Sequence, residues 1–77
     1  MHKPPAMTQL NSTSIAEVGH DGTALYVRFV GKGNAPGGLY RYAGVPATHH
    51  AALLSADSAG GYHAAQIRGK HVGEKVG

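Results

Sequence analysis

The most regular alternation of apolar and polar residues lies between residues 24 and 30, where the sequence is ALYVRFV. Alternation in a segment rich in β-branched and aromatic residues is typical of a β-strand. Shorter apolar segments at residues 15–20 and 39–43 predict two further strands. The dipeptide Asp21-Gly22 predicts a tight turn between the first two strands, because glycine accepts the backbone conformation that a hairpin turn requires.

The pattern changes after the third predicted strand. Pro46 suits the first turn of a helix, where its missing N–H has no partner to lose. Residues 47–56 and 59–67 predict two short helices, and we expect Asp57 or Ser58 to cap the second. The predicted fold is therefore α+β, a small three-stranded antiparallel meander followed by two short helices packed on one face of the sheet.

The length of the chain, 77 residues, predicts one domain with a thin core. We expect a flexible N-terminal tail at residues 1–9 and a single domain at residues 10–76, with the order of the segment after Arg68 left open. The chain contains no cysteine, and no apolar segment is long enough to span a membrane. We therefore expect a cytoplasmic protein without disulfides.

Two tyrosines in the third predicted strand leave two arrangements open. Tyr40 and Tyr42 project from the same side of a strand, so both can pack in the core and leave Arg41 on the opposite side near Arg28 and Tyr26. Alternatively, both are exposed and stack on nucleic-acid bases. We favour the first arrangement, because so short a chain has little other material for a core.

The predicted elements carry a series of short motifs. In chain order they are Ser12-Thr13-Ser14-Ile15, Val18-Gly19 with Asp21, the alternating Leu25, Val27 and Phe29, Tyr40-Arg41-Tyr42, Gly44-Val45-Pro46, Leu53-Leu54, Ala56, Ser58, Gly60, Tyr62, Ile67-Arg68-Gly69-Lys70 and Glu74-Lys75-Val76. In this order and spacing the chain resembles the KTSC domain family from about residue 10 to residue 76. The resemblance implies structural roles for the motif residues Tyr40, Tyr42, Gly44, Pro46 and Tyr62.

The KTSC family occurs at the C-terminus of some lysyl-tRNA synthetases and as stand-alone bacterial or phage proteins. The synthetase linkage implies contact with RNA, although a linkage of this kind is an argument from context. The chain departs from the family pattern where it has His20, His50, His63 and His71 in place of aromatic residues. We expect these histidines to fill aromatic positions of the fold, since their spacing matches no standard zinc site.

The charge of the chain permits a polyanionic partner. Lysine and arginine total 7 against 4 acidic residues, which gives a net charge of +3 and an isoelectric point near 9.5. We predict a non-catalytic binding module, without cofactor or metal, that contacts RNA through a cationic face. The alternative is a protein-interaction module that binds an acidic protein surface. The residues expected to make the contacts are Tyr26 as the stacking ring and Arg28, Arg41, Arg68, Lys70 and Lys32 as the cations.

Overall fold

A computed structural model describes residues 5–33 and 37–77. The described residues form an antiparallel sheet and two helices, which confirms the α+β class. The prediction of three strands is wrong, because the sheet has five strands in the sequential order β1-β2-β3-β4-β5. The elements are β1 (Thr8–Gln9), β2 (Ile15–His20), β3 (Ala24–Phe29), β4 (Leu39–Ala43), α1 (Ala47–Ser55), α2 (Ala59–Gln66) and β5 (Gly73–Lys75).

The two additional strands lie at the edges of the sheet, one near each end of the chain. Strand β1 pairs with β2 through Thr8 opposite Val18, within the segment that we expected to be a flexible tail. Strand β5 pairs with β4 through Lys75 opposite Tyr40, in the segment whose order the sequence left open. Both strands are short and fully exposed. Their pairing therefore depends on a preformed neighbour rather than on an apolar pattern of their own.

The turn between β2 and β3 forms as predicted. Gly22 has a φ of 100°, and the Asp21 carboxylate accepts hydrogen bonds from the backbone N–H groups of Thr23 and Ala24, both at 2.8 Å. The Thr23 hydroxyl donates a third bond at 2.9 Å. These donors, the Thr23 amide first among them, lower the pKa of Asp21 to about 2, because each stabilises the ionised carboxylate.

The helices begin at residues that the sequence suggested. Pro46 is the N-cap of α1, one position before its first turn, and Gly44 precedes it with a φ of 77°. Ser58 rather than Asp57 caps α2, since its hydroxyl accepts a hydrogen bond from the Gly61 N–H at 3.1 Å. Neither helix of the described residues has the length and apolar character needed to cross a membrane.

The main core lies between the sheet and the helices. Tyr42 is 5 % exposed within this core, whereas Tyr40 is half-buried at its margin. The two tyrosines therefore share a face, as the favoured arrangement requires, but only Tyr42 is a true core residue. The buried members of the core are Ile15, Val18, Leu25, Val27, Tyr42, Val45, Leu53, Ala59 and Ile67.

A second, smaller cluster covers the opposite side of the sheet, which we call the outer face. Ala24, Tyr26 and Leu39 are buried there, and Met7 and Val76 pack against them. The cluster thus joins two central strands to residues beside the two edge strands. Both faces of the sheet contribute buried apolar surface, which matters for so small a domain.

Candidate nucleic-acid interface

Arg28, predicted to contact a phosphate, instead makes hydrogen bonds and an ion pair within the protein. Its Nε donates to the Glu17 carboxylate at 3.2 Å, and its Nη1 donates to the Gly37 carbonyl at 3.0 Å. Both charged side chains are 27 % exposed, so the pair is partly accessible to water. The carboxylate neutralises most of the local positive charge, and this arginine offers little to a polyanion in the observed conformation.

Arg41 also has acidic neighbours. It lies opposite Glu74 of β5 in the register of the sheet, and its charge contributes to the lowered pKa of Asp21. Its side chain lies on the outer face, on the same side as Arg28. The outer face therefore has both arginines that we predicted there, but carboxylates accompany them.

Tyr26, the predicted stacking ring, is buried. Only 3 % of the residue is exposed, because the outer-face cluster surrounds it with Leu39, Met7 and Val76. The expectation of an exposed ring is wrong for this conformation. Alternation along β3 correctly placed Tyr26 opposite the helix-facing side, but it did not show that chain segments near the two termini cover that face.

Another aromatic residue lies beside a cation at the edge of the helix-facing side. Tyr40 of β4 is directly opposite Lys75 of β5. A Cβ atom built on Gly38 would lie 3.0 Å from Cε1 of Tyr40 and 3.4 Å from Cε of Lys75. The tyrosine ring and the lysine stem therefore converge over Gly38 and occupy the space that a side chain at this position would need.

The Tyr40 ring is supported from within the domain. It packs edge to face against Phe29, with ring centroids 5.5 Å apart and an interplanar angle of 76°. Phe29 is itself half-buried and packs against the ring of His63, with the two ring centroids 5.3 Å apart. The ring of Tyr40 is thus fixed against the core on one side while part of its surface stays accessible, which is the arrangement that a stacking contact requires.

Two more cations lie between α2 and β5. Arg68 is exposed and close enough to Tyr42 and His63 for its charge to act on both. Burial raises the pKa of Tyr42, and Arg68 opposes this shift; burial lowers the pKa of His63, and Arg68 adds to that shift. Lys70 is exposed, and its Nζ donates to the Gln66 side-chain oxygen at 3.4 Å. Within residues 5–33 and 37–77, no ion pair engages Arg68, Lys70 or Lys75. We call Tyr40, Arg68, Lys70 and Lys75 the cationic edge.

The structure thus divides the cations that the sequence grouped together. Arg28 and Arg41 lie on the outer face, and Arg68 and Lys70 lie in the turn after α2. Lys32 is exposed in the β3–β4 loop, next to residues 34–36, which lie outside the described chain. Sequence reasoning did not include Lys75 among the binding residues, because only the pairing of β5 with β4 brings it beside Tyr40.

His63 occupies an aromatic position of the core, as we expected from the family pattern. It is 5 % exposed and packs edge to face against Phe29 and Tyr42, with both centroid distances at 5.3 Å. Its Nε2 shares a hydrogen bond of 3.0 Å with the Tyr42 hydroxyl. Burial lowers the pKa of His63, and the nearby Arg68 charge lowers it further. The side chain is therefore neutral at physiological pH.

The remaining described histidines form pairs rather than a metal centre. His20 hydrogen-bonds through Nε2 to the Val45 carbonyl at 2.6 Å, and its ring lies 6.2 Å from that of His50. His49 shares a bond of 2.7 Å with the hydroxyl of Tyr62, which explains the structural role of that family residue. The described part of the chain holds no group of three or more side chains suited to a metal ion.

A polar groove of about 370 Å³ lies apart from these cations. Its walls carry the hydroxyl groups of the segment at residues 12–14 and of Ser58, together with the carboxylate of Asp57. Among the described residues that line it, none is lysine or arginine, and Asp57 alone carries a full charge. Because this charge is negative, the groove does not suit a polyanion.

Comparison with known proteins identifies the family. The KTSC domain model matches residues 11–71, most of the chain, so the protein belongs to the KTSC domain family. A crystal structure of a KTSC domain protein from Yersinia pestis is similar to this fold with a TM-score of 0.79. The two chains are 30 % identical over 94 % of this chain and 97 % of the other. A search of curated proteins finds no significant match.

Proposed function

We propose that this protein is a small non-catalytic module that binds RNA through the cationic edge. Arg68, Lys70 and Lys75 would contact phosphates, and Tyr40 would stack against one unpaired base. Binding of this kind gains affinity mainly by releasing the counterions condensed on the phosphates. An RNA partner also implies a cytoplasmic location.

The observation that carries the proposal is the convergence of Tyr40 and Lys75 over Gly38. An accessible ring with an exposed cation beside it can bind a base and its phosphate at neighbouring positions. The ring is held by Phe29, so little side-chain freedom is lost when a base stacks on it. The proposal keeps the class of partner predicted from the sequence but moves the contacts from the outer face to the edge.

The alternative partner is an acidic protein segment at the same place. Strand β5 is the last strand of the described sheet, and all three of its residues are exposed. An extended acidic peptide can add to such an edge through backbone hydrogen bonds. This partner would also need the cations but would not need the Tyr40 ring.

The test is a fluorescence-anisotropy titration with a mixed single-stranded RNA at about 50 and about 300 mM salt. We expect binding that weakens steeply with salt, with the slope of log K against log salt falling by about 0.7 for each cation removed. Lys75→Gln and Arg68→Gln should each reduce the slope in this way. Lys32→Gln is the matched control, because it removes one exposed positive charge that lies outside the cationic edge, and it should change the slope much less.

Tyr40→Leu separates the two partners. It should weaken RNA binding by about 5- to 100-fold if the ring stacks on a base. Unchanged RNA binding in Tyr40→Leu would exclude the stacking contact. No RNA binding at the lower salt concentration would refute the proposal, and an acidic peptide would then be titrated in the same assay.

A further inference from the structure

The segment Pro5–Met7, which we call the strap, lies directly on the outer face at Gly19. A Cβ atom built on Gly19 would lie 2.7 Å from the Met7 sulfur, 2.8 Å from the Ala6 carbonyl oxygen and 3.1 Å from the Pro5 ring. Gly19 is also the cross-strand partner of Tyr26. The absence of a side chain at this position is therefore what allows the strap to pack down beside the Tyr26 ring.

The surface beneath the strap has the chemistry of a nucleic-acid contact. Tyr26 lies directly opposite Arg41 on β4, and Arg28 follows it two residues along β3 on the same face. Two guanidinium groups thus flank one aromatic ring in the middle of the sheet. Guanidinium groups bind phosphates, and an aromatic ring between them can stack a base.

Among residues 5–33 and 37–77, few contacts hold the strap in place. Strand β1, which follows it, has two residues, both exposed. Its pairing consists of Thr8 opposite Val18 and Gln9 opposite Glu17, and the Leu10 N–H donates to the Ala16 carbonyl at 2.9 Å. Short segments with few buried contacts open at a low free-energy cost. The closed conformation is therefore one that a ligand can displace.

We propose that the outer face is a second RNA-binding surface, formed by Arg28, Tyr26 and Arg41, that the strap covers until it lifts. The class of ligand rests on the function proposed above. In the closed state the arginines face carboxylates and the ring faces Met7. In the open state the part of the ring that Met7 covers becomes available to an unpaired base, while Leu39 and Val76 still pack beside it, and phosphates compete with Glu17 for Arg28.

The test uses Gly19→Ala in the full chain. The added methyl group needs the space that the strap occupies, while the length and charge of the protein stay unchanged. Gly69→Ala is the matched control, because a Cβ atom at Gly69 would meet no atom of the described residues within 4 Å, its chain neighbours aside. NMR signals of the Met7 methyl group and the Tyr26 ring report whether the strap has left the outer face.

We expect Gly19→Ala to release the strap. The variant should then bind single-stranded RNA at least about fivefold more tightly than the wild type, because the apparent dissociation constant no longer includes the cost of opening the closed state. Adding Tyr26→Leu to Gly19→Ala should abolish the gain. A released strap without a gain in affinity would overturn the proposal. If Gly19→Ala fails to fold, Met7→Asn removes the apolar contact instead. If the strap stays closed in every variant that folds, the proposal is also overturned.

The outcomes separate this inference from the proposed function. Lys75→Gln tests the cationic edge, which does not include the outer face. If the wild-type protein binds RNA through Lys75 but Gly19→Ala brings no gain, only the second surface is refuted. If Lys75→Gln has no effect while Gly19→Ala gains affinity, the cationic edge is refuted and the outer face remains.

Discussion

The hydrogen bond between Tyr42 and His63 allows a quantitative test of how the core is built. The bond is 3.0 Å long, and the two residues are each 5 % exposed. Tyr42→Phe removes only the hydroxyl group and leaves the ring in place. The change then leaves Nε2 of His63 buried without a partner, and a buried polar group in this condition costs about 1–3 kcal/mol.

A loss of this size is large for a 77-residue domain. Each kcal/mol corresponds to about 4–8 °C in the melting temperature of a domain of 60–100 residues, so we expect Tyr42→Phe to melt at least about 4 °C lower. Tyr40→Phe is the matched control. Tyr40 lies on the same strand and the same face, but its hydroxyl makes no hydrogen bond within the described residues. Its removal should therefore change the stability by less than about 0.5 kcal/mol.

The second half of the test replaces both partners. His63→Phe fills the same aromatic site between Phe29 and Tyr42, and with Tyr42→Phe it leaves no polar atom to satisfy. The double variant should be more stable than the sum of the single changes predicts, by about 1 kcal/mol or more in a urea-denaturation cycle. Additive effects, or a Tyr42→Phe protein as stable as the wild type, would show that the bond does not contribute as argued.

Two further predictions concern stability. Burial lowers the pKa of both His50 and His63, so the unfolded state binds more protons than the folded state once the pH falls towards 6.5, the ordinary pKa of a histidine. The free energy of unfolding should therefore decrease as the pH falls from about 8 to about 5.5. Thermal melts at several pH values measure this decrease, and a melting temperature that does not change with pH would contradict the prediction. Gly73→Ala should be destabilised by about 1–3 kcal/mol in the same melts, because its Cβ would lie 2.6 Å from the ring of Tyr42, whereas Gly69→Ala should melt like the wild type.

The central strands and both helices could be predicted because a short sequence pattern within or beside each element favours it. Alternation marks β3, a tight turn joins it to β2, and Pro46 and Ser58 mark the helix starts. The edge strands Thr8–Gln9 and Gly73–Lys75 have no such pattern. Their polar residues adopt an extended conformation because β2 and β4 each leave one row of backbone groups unpaired, and only the folded sheet presents those rows.

The ion pair that occupies Arg28 could not be predicted for a related reason. The register between β2 and β3 shifts between Ile15 and Glu17. Ile15 is opposite Phe29, so regular pairing would place Glu17 opposite Val27, on the core side. The shift places it opposite Arg28 instead, which carries the carboxylate to the outer face. The bulge leaves only a small mark in the sequence: Ile15 and Val18 both face the core although they lie three residues apart, a spacing that regular alternation does not give.

The distribution of charge follows from the same two features. The shifted register gives Arg28 a carboxylate partner, and the pairing of β5 places Glu74 opposite Arg41. The first is an ion pair of 3.2 Å and the second is a neighbouring position in the register, and both place negative charge on the outer face. Among the described residues, Arg68, Lys70 and Lys75 lie off this face as exposed charges, as does Lys32 in the β3–β4 loop. A composition with a net charge of +3 does not show where that charge lies, but the order and register of five strands do. This is the physical reason for placing a first polyanion contact at the edge of the sheet rather than on its face.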